Sequence, residues 1–246
     1  MAADLVGRRV SVIVASGLPA VLAAKTATTT IPIIFRTGND PVQYGLVTSF
    51  NRPTGNITGI NDFNVDLAQK RLQFLHDLLP GASRFAALTD TTTPLTASRI
   101  SDLRAAASTI GVSIEIVTAS DNREIDAAFA SLAQKRIDAL WVDTLGFFAN
   151  RRLQLAHLAT YYHLPAIYPE RQFTEIGGLM SYGPDFLDQI RQAGIYTGRV
   201  LKGEKPSDLP VMRPTKFQFV INMQTARIFG IEVPPTLLAI ADEVIE

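Results

Sequence analysis

Six short segments of the chain set hydroxyls, carboxylates and aromatic rings directly behind short apolar runs. Their chemistry is that of holding a small molecule. Ser16-Gly17-Leu18-Pro19 combines a hydroxyl donor, a glycine that lets the backbone turn and a proline suited to the start of a helix. The free N–H groups and dipole of such a start favour an anion, so a ligand carboxylate fits there. A plain strand-to-helix turn with Ser16 as cap fits the same residues. Asn39 and Asp40, in Thr37-Gly38-Asn39-Asp40-Pro41, read first as an Asx-type turn before proline. Thr91 and Thr92 belong to Asp90-Thr91-Thr92-Thr93-Pro94, where a helix cap before Pro94 accounts for one threonine but not three. Asp143, followed by the paired rings Phe147 and Phe148, suits an ammonium beside an apolar or aromatic group. The alternative is that the rings are helix-packing core, as one of them is expected to be. Tyr168 and Tyr182 each put a phenol at a strand end, for stacking or hydrogen bonding. Glu170 follows Tyr168 closely, and Glu170-Arg171 also reads as a surface ion pair. Together these segments offer carboxylate binders, ammonium binders and aromatic walls, the inventory of an amino-acid pocket.

Bond-making chemistry is poorly provided for. With no cysteine, thiolate catalysis, disulfides and Cys-based metal sites are excluded. There is no GxGxxG and no G-x-S-x-G. Gly198–Gly203 begins like a phosphate loop, but Glu204 stands where a lysine is needed. His76, His157 and His163 have no metal-ligand spacing and read as structural or exposed. Asn56-Ile57-Thr58 matches a glycosylation sequon, a triplet common by chance. No enzyme activity and no cofactor are expected. The chain has 23 basic and 23 acidic residues, a formal net charge of zero, which argues against a nucleic-acid partner and against a polybasic membrane anchor. The first residues show no apolar core of a signal peptide, and the apolar runs are too short to span a bilayer.

The elements that must position these residues alternate in type. Short β-rich runs are expected over 10–15, 31–37, 57–61, 85–89, 114–117, 139–142, 165–168, 179–182 and 217–221. Between them lie helical patterns over 20–26, 65–79, 95–110, 148–162 and 186–201, a short helix through Val47 and another over 225–229. The helix over 65–79 lines up Leu67, Arg71, Phe74, Leu75 and Leu78 along one side. Asp121 with Glu124 three residues on is a variant capping box. Repeated β-α-β units give a parallel sheet with helices on both faces, and nearly continuous apolar strands such as 10–15 and 139–142 suit burial on both. Ligands of such sheets bind beyond the strands' carboxyl ends, where the polar segments lie. One large open sheet and two small ones both fit the pattern.

Several stretches resemble one family closely: Val12-Ile13-Val14-Ala15-Ser16-Gly17, Ile31-Pro32-Ile33-Ile34-Phe35, Asn39-Asp40-Pro41-Val42 and Asn51-Arg52-Pro53-Thr54-Gly55-Asn56. Gly177-Gly178-Leu179-Met180-Ser181-Tyr182-Gly183 and Gly203-Glu204-Lys205-Pro206 make the likeness specific, and it runs the length of the chain. On these residues the chain resembles the ABC-transporter substrate-binding protein family that includes tryptophan-binding lipoproteins. The resemblance implies an α/β, type I periplasmic-binding-protein fold with two doubly wound parallel-sheet lobes and a ligand cleft between them. Lobe one would be residues 1–63 plus 184–218, and lobe two 64–183 plus 219–246. The Ser16 loop (Ser16, Gly17, Leu18, Pro19) would hold a carboxylate and Asp143 or Glu170 an ammonium. Phe147, Phe148, Tyr168 and Tyr182 would line a side-chain pocket, with Asn39, Asp40, Asn61, Thr91 and Thr92 also at the ligand.

The chain departs from the family where Leu145-Gly146 precedes Phe147-Phe148 instead of Asp-Pro, and at Thr91-Thr92, where Asn-Pro is common. The family's signal peptide and opening β-α-β segment are also missing ahead of Leu5, so the first lobe is expected to be N-terminally truncated. What the resemblance implies is a solute-binding component of an ABC importer, periplasmic or extracytoplasmic, taking an amino acid-like ligand, apolar or aromatic, by hinge closure and serving a membrane permease. The alternatives are a cytoplasmic small-molecule sensor of the same fold and a truncated, nonbinding paralogue.

Overall fold

The computed structural model describes residues 1–62, 66–90, 96–144 and 146–246. In chain order the elements are α1 (Ala2–Gly7), β1 (Ile13–Ser16), α2 (Leu18–Ala27), β2 (Ile33–Thr37), β3 (Ile57–Asn61), α3 (Asp66–Leu78), β4 (Arg84–Thr89), α4 (Thr96–Thr109), β5 (Ser113–Thr118) and α5 (Asn122–Gln134). There follow β6 (Ala139–Val142), α6 (Gly146–Ala149), α7 (Arg152–Tyr161), β7 (Ala166–Tyr168), α8 (Arg171–Glu175), β8 (Met180–Pro184), α9 (Phe186–Leu201), β9 (Phe217–Asn222), α10 (Met223–Ile228), α11 (Pro235–Ile240) and β10 (Glu243–Ile245). The chain divides into two compact units, Met1–Asn64 with Pro184–Lys216, and Val65–Gly183 with Phe217–Glu246. No described helix is long and apolar enough to cross a membrane.

In the first unit β1, β2 and β3 form a parallel sheet in that order. Side chains alternate between its faces. Ile13, Ala15, Ile33, Phe35 and Ile57 pack against Val21 and Ala24 of α2. Ile34 and Ile60 point the other way and meet Ala193, Tyr196 and Val200 of α9. Those three residues recur at helical spacing, so α9 has one apolar stripe for this contact. Asp185 starts α9 by accepting the Asp188 N–H at 3.0 Å.

The second unit holds a sheet in the order β10-β9-β8-β7-β6-β4-β5. Its central strands β4, β6 and β7 are apolar and buried nearly throughout, as parallel strands covered on both faces must be. Phe85, Ala87, Trp141 and Ile167 pack under Leu72, Leu75 and Leu78 of α3 and Leu103 of α4. Ala86, Leu88, Leu140 and Val142 pack under Ile125, Phe129 and Leu132 of α5 and Leu155 of α7. Asp121 caps α5 by accepting the Glu124 N–H at 2.8 Å, while the Glu124 carboxylate reaches back to Ser120, one residue further than in a reciprocal capping box.

Some expected elements take other forms. No helix runs through Val47. Residues 41–46 are turns, because the Asp40 carboxylate caps the N–H groups of Val42 and Gln43 and Gly45 adopts a positive φ of 62°. The helix expected over 148–162 is two helices, α6 and α7, broken at Asn150 and Arg151. The first strand begins only at Ile13, where pairing with β2 begins. α1, α11 and β10 were not foreseen. β10 pairs with β9, and Arg171 of α8 pins it through a bidentate pair with Glu243.

Gly59 lies opposite Phe35 in the β2–β3 ladder, and a Cβ there would fall 2.0 Å from the Phe35 carbonyl oxygen. Gly198, inside α9, has open space where its Cβ would sit. Gly59→Ala should therefore cost on the order of 3 kcal/mol in urea unfolding. Gly198→Ala should be neutral or stabilising by up to ~1 kcal/mol.

Candidate ligand-binding site

In the first unit three polar side chains gather at the carboxyl end of the sheet on its α9 face. Ser16 ends β1 and is the register partner of Arg36 in β2. Asp62 follows β3 by one residue. The Arg36 guanidinium donates from Nε to Ser16 Oγ at 3.2 Å, and from Nη1 to Gln189 Oε1 at 2.6 Å and to Asp62 Oδ2 at 3.5 Å. Its carbon lies 4.8 Å from the centre of the Phe186 ring. Gln189 sits on the buried side of α9 and donates to Asp62 in turn. Burial pushes the Asp62 carboxyl above its usual range, and the Arg36 charge opposes that by pulling it down. Oδ1 of Asp62 is buried and has no hydrogen-bond partner among the described residues.

On the other face of the same sheet Asn61 is fully buried, and its amide donates to the carbonyls of Thr37 and Asn39 at 2.8 and 2.7 Å. Those two bonds clamp the loop after β2 and fix which end of the amide is oxygen. Asn61 Oδ1 has no hydrogen-bond partner among the described residues. Asn39 is half-buried in that loop. Asp40 is engaged by the turn it caps, as its local sequence suggested. Gly17 begins α2 with φ 83° and no side-chain cap, leaving the N–H groups of the first turn, including that of Leu18, without a capping side chain; Pro19 is exposed.

In the second unit Asp143 follows the central strand β6 by one residue and is buried. Its Oδ2 accepts from Thr89 Oγ1 at 2.7 Å and its Oδ1 from the Thr144 N–H at 2.7 Å. Arg71, buried on α3, donates to the Val142 carbonyl at 3.1 Å and to Thr144 Oγ1 at 2.9 Å, and lies 4.7 Å above the Trp141 ring. Phe148 is fully buried core, whereas Phe147 is half-buried, with Arg151 over its ring. Tyr168 is fully buried and stacked on Phe173 at 4.7 Å. Among the described residues its hydroxyl has no hydrogen-bond partner, and desolvation pushes the phenol pKa well up. Tyr182 is partly exposed and packs edge-on against Phe74 at 5.0 Å. Glu170 is half-buried at the start of α8, and Arg171 pairs instead with Glu175 and Glu243. Thr91 and Thr92 lie outside the described residues.

Of the residues singled out in the sequence, Asn61 and Asn39 are brought together, and Ser16 is brought to a partner that the loops did not suggest. Arg36, Asp62, Gln189 and Arg71 were missed as site residues. Arg36 left a signal, since it is the one charge in the otherwise apolar run Ile33-Ile34-Phe35-Arg36. Arg71 left a similar one on the apolar side of α3.

Comparison with known proteins places this architecture. Residues 1–245 match the ABC transporter substrate binding protein family. The chain belongs to this family. A tyrosine-binding protein of Clostridioides difficile is 28% identical over 228 residues, covering 92% of this chain and 65% of that protein. The chain thus spans a little under two thirds of that relative's length. The crystal structure of an ABC domain protein from Streptococcus pneumoniae in complex with L-Trp is 28% identical, with a TM-score of 0.88 over 100% of this chain and 84% of its own. A ligand-free, open substrate binding protein with adhesive properties from Clostridium difficile is 26% identical, with a TM-score of 0.70 over 100% of this chain and 81% of its own. The α/β fold of parallel sheets and helices is that of the type I periplasmic binding proteins, as the sequence led one to expect. Family members of this kind bind substrates.

Removing the orphaned Tyr168 hydroxyl should relieve its desolvation cost. Tyr168→Phe is expected to raise stability by ~1 kcal/mol at neutral pH in urea unfolding. Wild-type stability should fall at alkaline pH, above the unfolded tyrosine value of roughly 10, because the folded state resists ionising this phenol. The variant should show a shallower fall, and equal alkaline slopes would count against the assignment.

Proposed function

We propose that this chain is the solute-binding component of an ABC importer for an aromatic amino acid. It works outside the cytoplasmic membrane and hands its ligand to a membrane permease. The observation that carries this reading is the pair of relatives of known ligand: one is a tyrosine-binding protein, the other was solved with L-Trp, and each is 28% identical across nearly all of this chain. The candidate residues support it. The first unit offers Ser16 and Arg36 at its strand ends, polar groups suited to the charged end of an amino acid. The second offers Phe147 and Tyr182, rings with exposed surface suited to an aromatic side chain. Asp143 is committed to Thr89 and Thr144, and in this reading it shapes its loop. The balanced net charge of zero suits a carrier of zwitterions. Binding proceeds by hinge closure: a ligand that touches both units stabilises the closed form by its differential affinity for it.

Thermal unfolding with L-tryptophan, L-tyrosine, L-phenylalanine and L-aspartate tests this. An aromatic ligand at a hundred times its Kd should add ~2.7 kcal/mol. For a chain of this size that is a rise in Tm of roughly 5 °C or more. L-aspartate should give none. No shift with any of the three aromatic amino acids would overturn the reading.

A further inference from the structure

We infer that Arg36, Ser16 and Asp62 form a head-group subsite for an α-amino acid within the first unit. Arg36 Nη2 and the Ser16 hydroxyl receive the carboxylate, and Asp62 Oδ1 receives the ammonium. The inference rests on the amino-acid reading above and says which groups recognise the ligand's two charges.

Three observations carry it. The first is the state of Arg36. Its side chain is only 18% exposed, and it is braced by Gln189, Asp62 and the Phe186 ring. Those contacts use Nε and Nη1. Among the described residues Nη2 has no hydrogen-bond partner, so two N–H donors of a fixed guanidinium remain. Ser16 Oγ accepts from Nε and keeps its own proton to donate. Charge-assisted donation from such a braced fork is the strong way to hold a carboxylate.

The second is Asp62. Its side chain is 10% exposed, and among the described residues its buried Oδ1 has no hydrogen-bond partner, a costly state for a carboxylate oxygen unless a donor arrives. An ammonium brings three donors. The third is charge balance. One guanidinium and one carboxylate 3.5 Å apart make a neutral pair, which matches a zwitterion better than a simple anion or cation. Asp143 makes the contrast, because both of its oxygens already accept hydrogen bonds from Thr89 and Thr144.

Calorimetric titration of the full chain with L-tryptophan, tryptamine (no carboxylate) and indole-3-propionate (no ammonium) tests the subsite. Arg36→Gln should weaken L-tryptophan and indole-3-propionate by at least ~10-fold and leave tryptamine within ~3-fold. Asp62→Asn should do the reverse, weakening L-tryptophan and tryptamine by a similar factor and sparing indole-3-propionate. Ser16→Ala removes an exposed hydroxyl, so it reports on the carboxylate arm even if Arg36→Gln fails to fold; ~5-fold losses confined to the two acids are expected. Equal losses for all three ligands would make the cluster a structural brace and overturn the inference. If the wild type binds none of the three, the aromatic reading fails by itself. The comparison is then made with whichever L-amino acid raises the wild-type Tm, using its decarboxylated and deaminated analogues. A wild type stabilised by no L-amino acid overturns both.

Discussion

The register of the three-stranded sheet is the constraint on which the first unit depends. In a parallel ladder side chains alternate strictly between faces, and here Ile13 pairs with Ile33 and Ile33 with Ile57. That choice sends Phe35 into the apolar layer against α2 and Arg36 to the α9 face. A slip of one residue would exchange them, burying a guanidinium among Val21, Ala24 and Leu46. The register is held in part by Gly59, whose missing side chain lets β3 approach the Phe35 carbonyl. Where Arg36 does lie, Gln189 and Asp62 compensate its lost hydration. Removing Asp62 would leave the Arg36 charge buried without its counterpart, a larger penalty than the net worth of the pair.

The second unit solves a similar problem with other means. Its strands β4 and β6 are apolar along their length, so polar groups enter only where the strands end: Thr89 and Asp90 after one, Asp143 and Thr144 after the other. Arg71 rises from α3 beneath these ends and ties the Val142 carbonyl and the Thr144 hydroxyl. The strand-end loop starting at Asp143 is therefore organised from below by a buried cation and from the side by Thr89. This scaffold orders the strand end ahead of α6, which carries the half-buried ring of Phe147.

Strand and helix identity was legible in the sequence wherever periodicity was strong. The runs 85–89 and 139–142 and the helix over 186–201 are apolar in the pattern that their burial demands. The expected short helix before Val47 failed because Asp40 spends its carboxylate on a turn, a competition that hydrophobic spacing does not register. The tail beyond Gly230 was left unassigned because its strand, 243–245, is short and depends on pairing with β9 and on Glu243 meeting Arg171, contacts distant in sequence. The site was legible by place more than by residue. Reading behind the strands singled out Ser16, and the family resemblance added Asn61, but Arg36 lies within a strand and Gln189 within a helix, where a polar residue is ordinarily read as surface. The rings divided as packing dictates: Phe148 and Tyr168 went to the core, and Phe147 and Tyr182 kept open faces.

The interleaved division of the chain has a consequence for the order of folding. The second unit is left at Gly183 and re-entered at Phe217, after the segment that builds α9 into the first. Phe219 and Ile221 of β9, and Leu237 of α11, belong to the same apolar layer as Trp141 and as Phe74, which lies well over a hundred positions earlier. A nascent chain that has emerged only to Gly183 thus has an incomplete core there and an open edge at β8. The first unit is likewise unfinished until α9 arrives to cover Ile34 and Ile60. Each unit closes its core only with a segment from the last third of the chain, so native structure is secured late, through long-range pairings that are slow to form. Until the last thirty residues or so join the sheet, apolar strands remain open to the wrong partners.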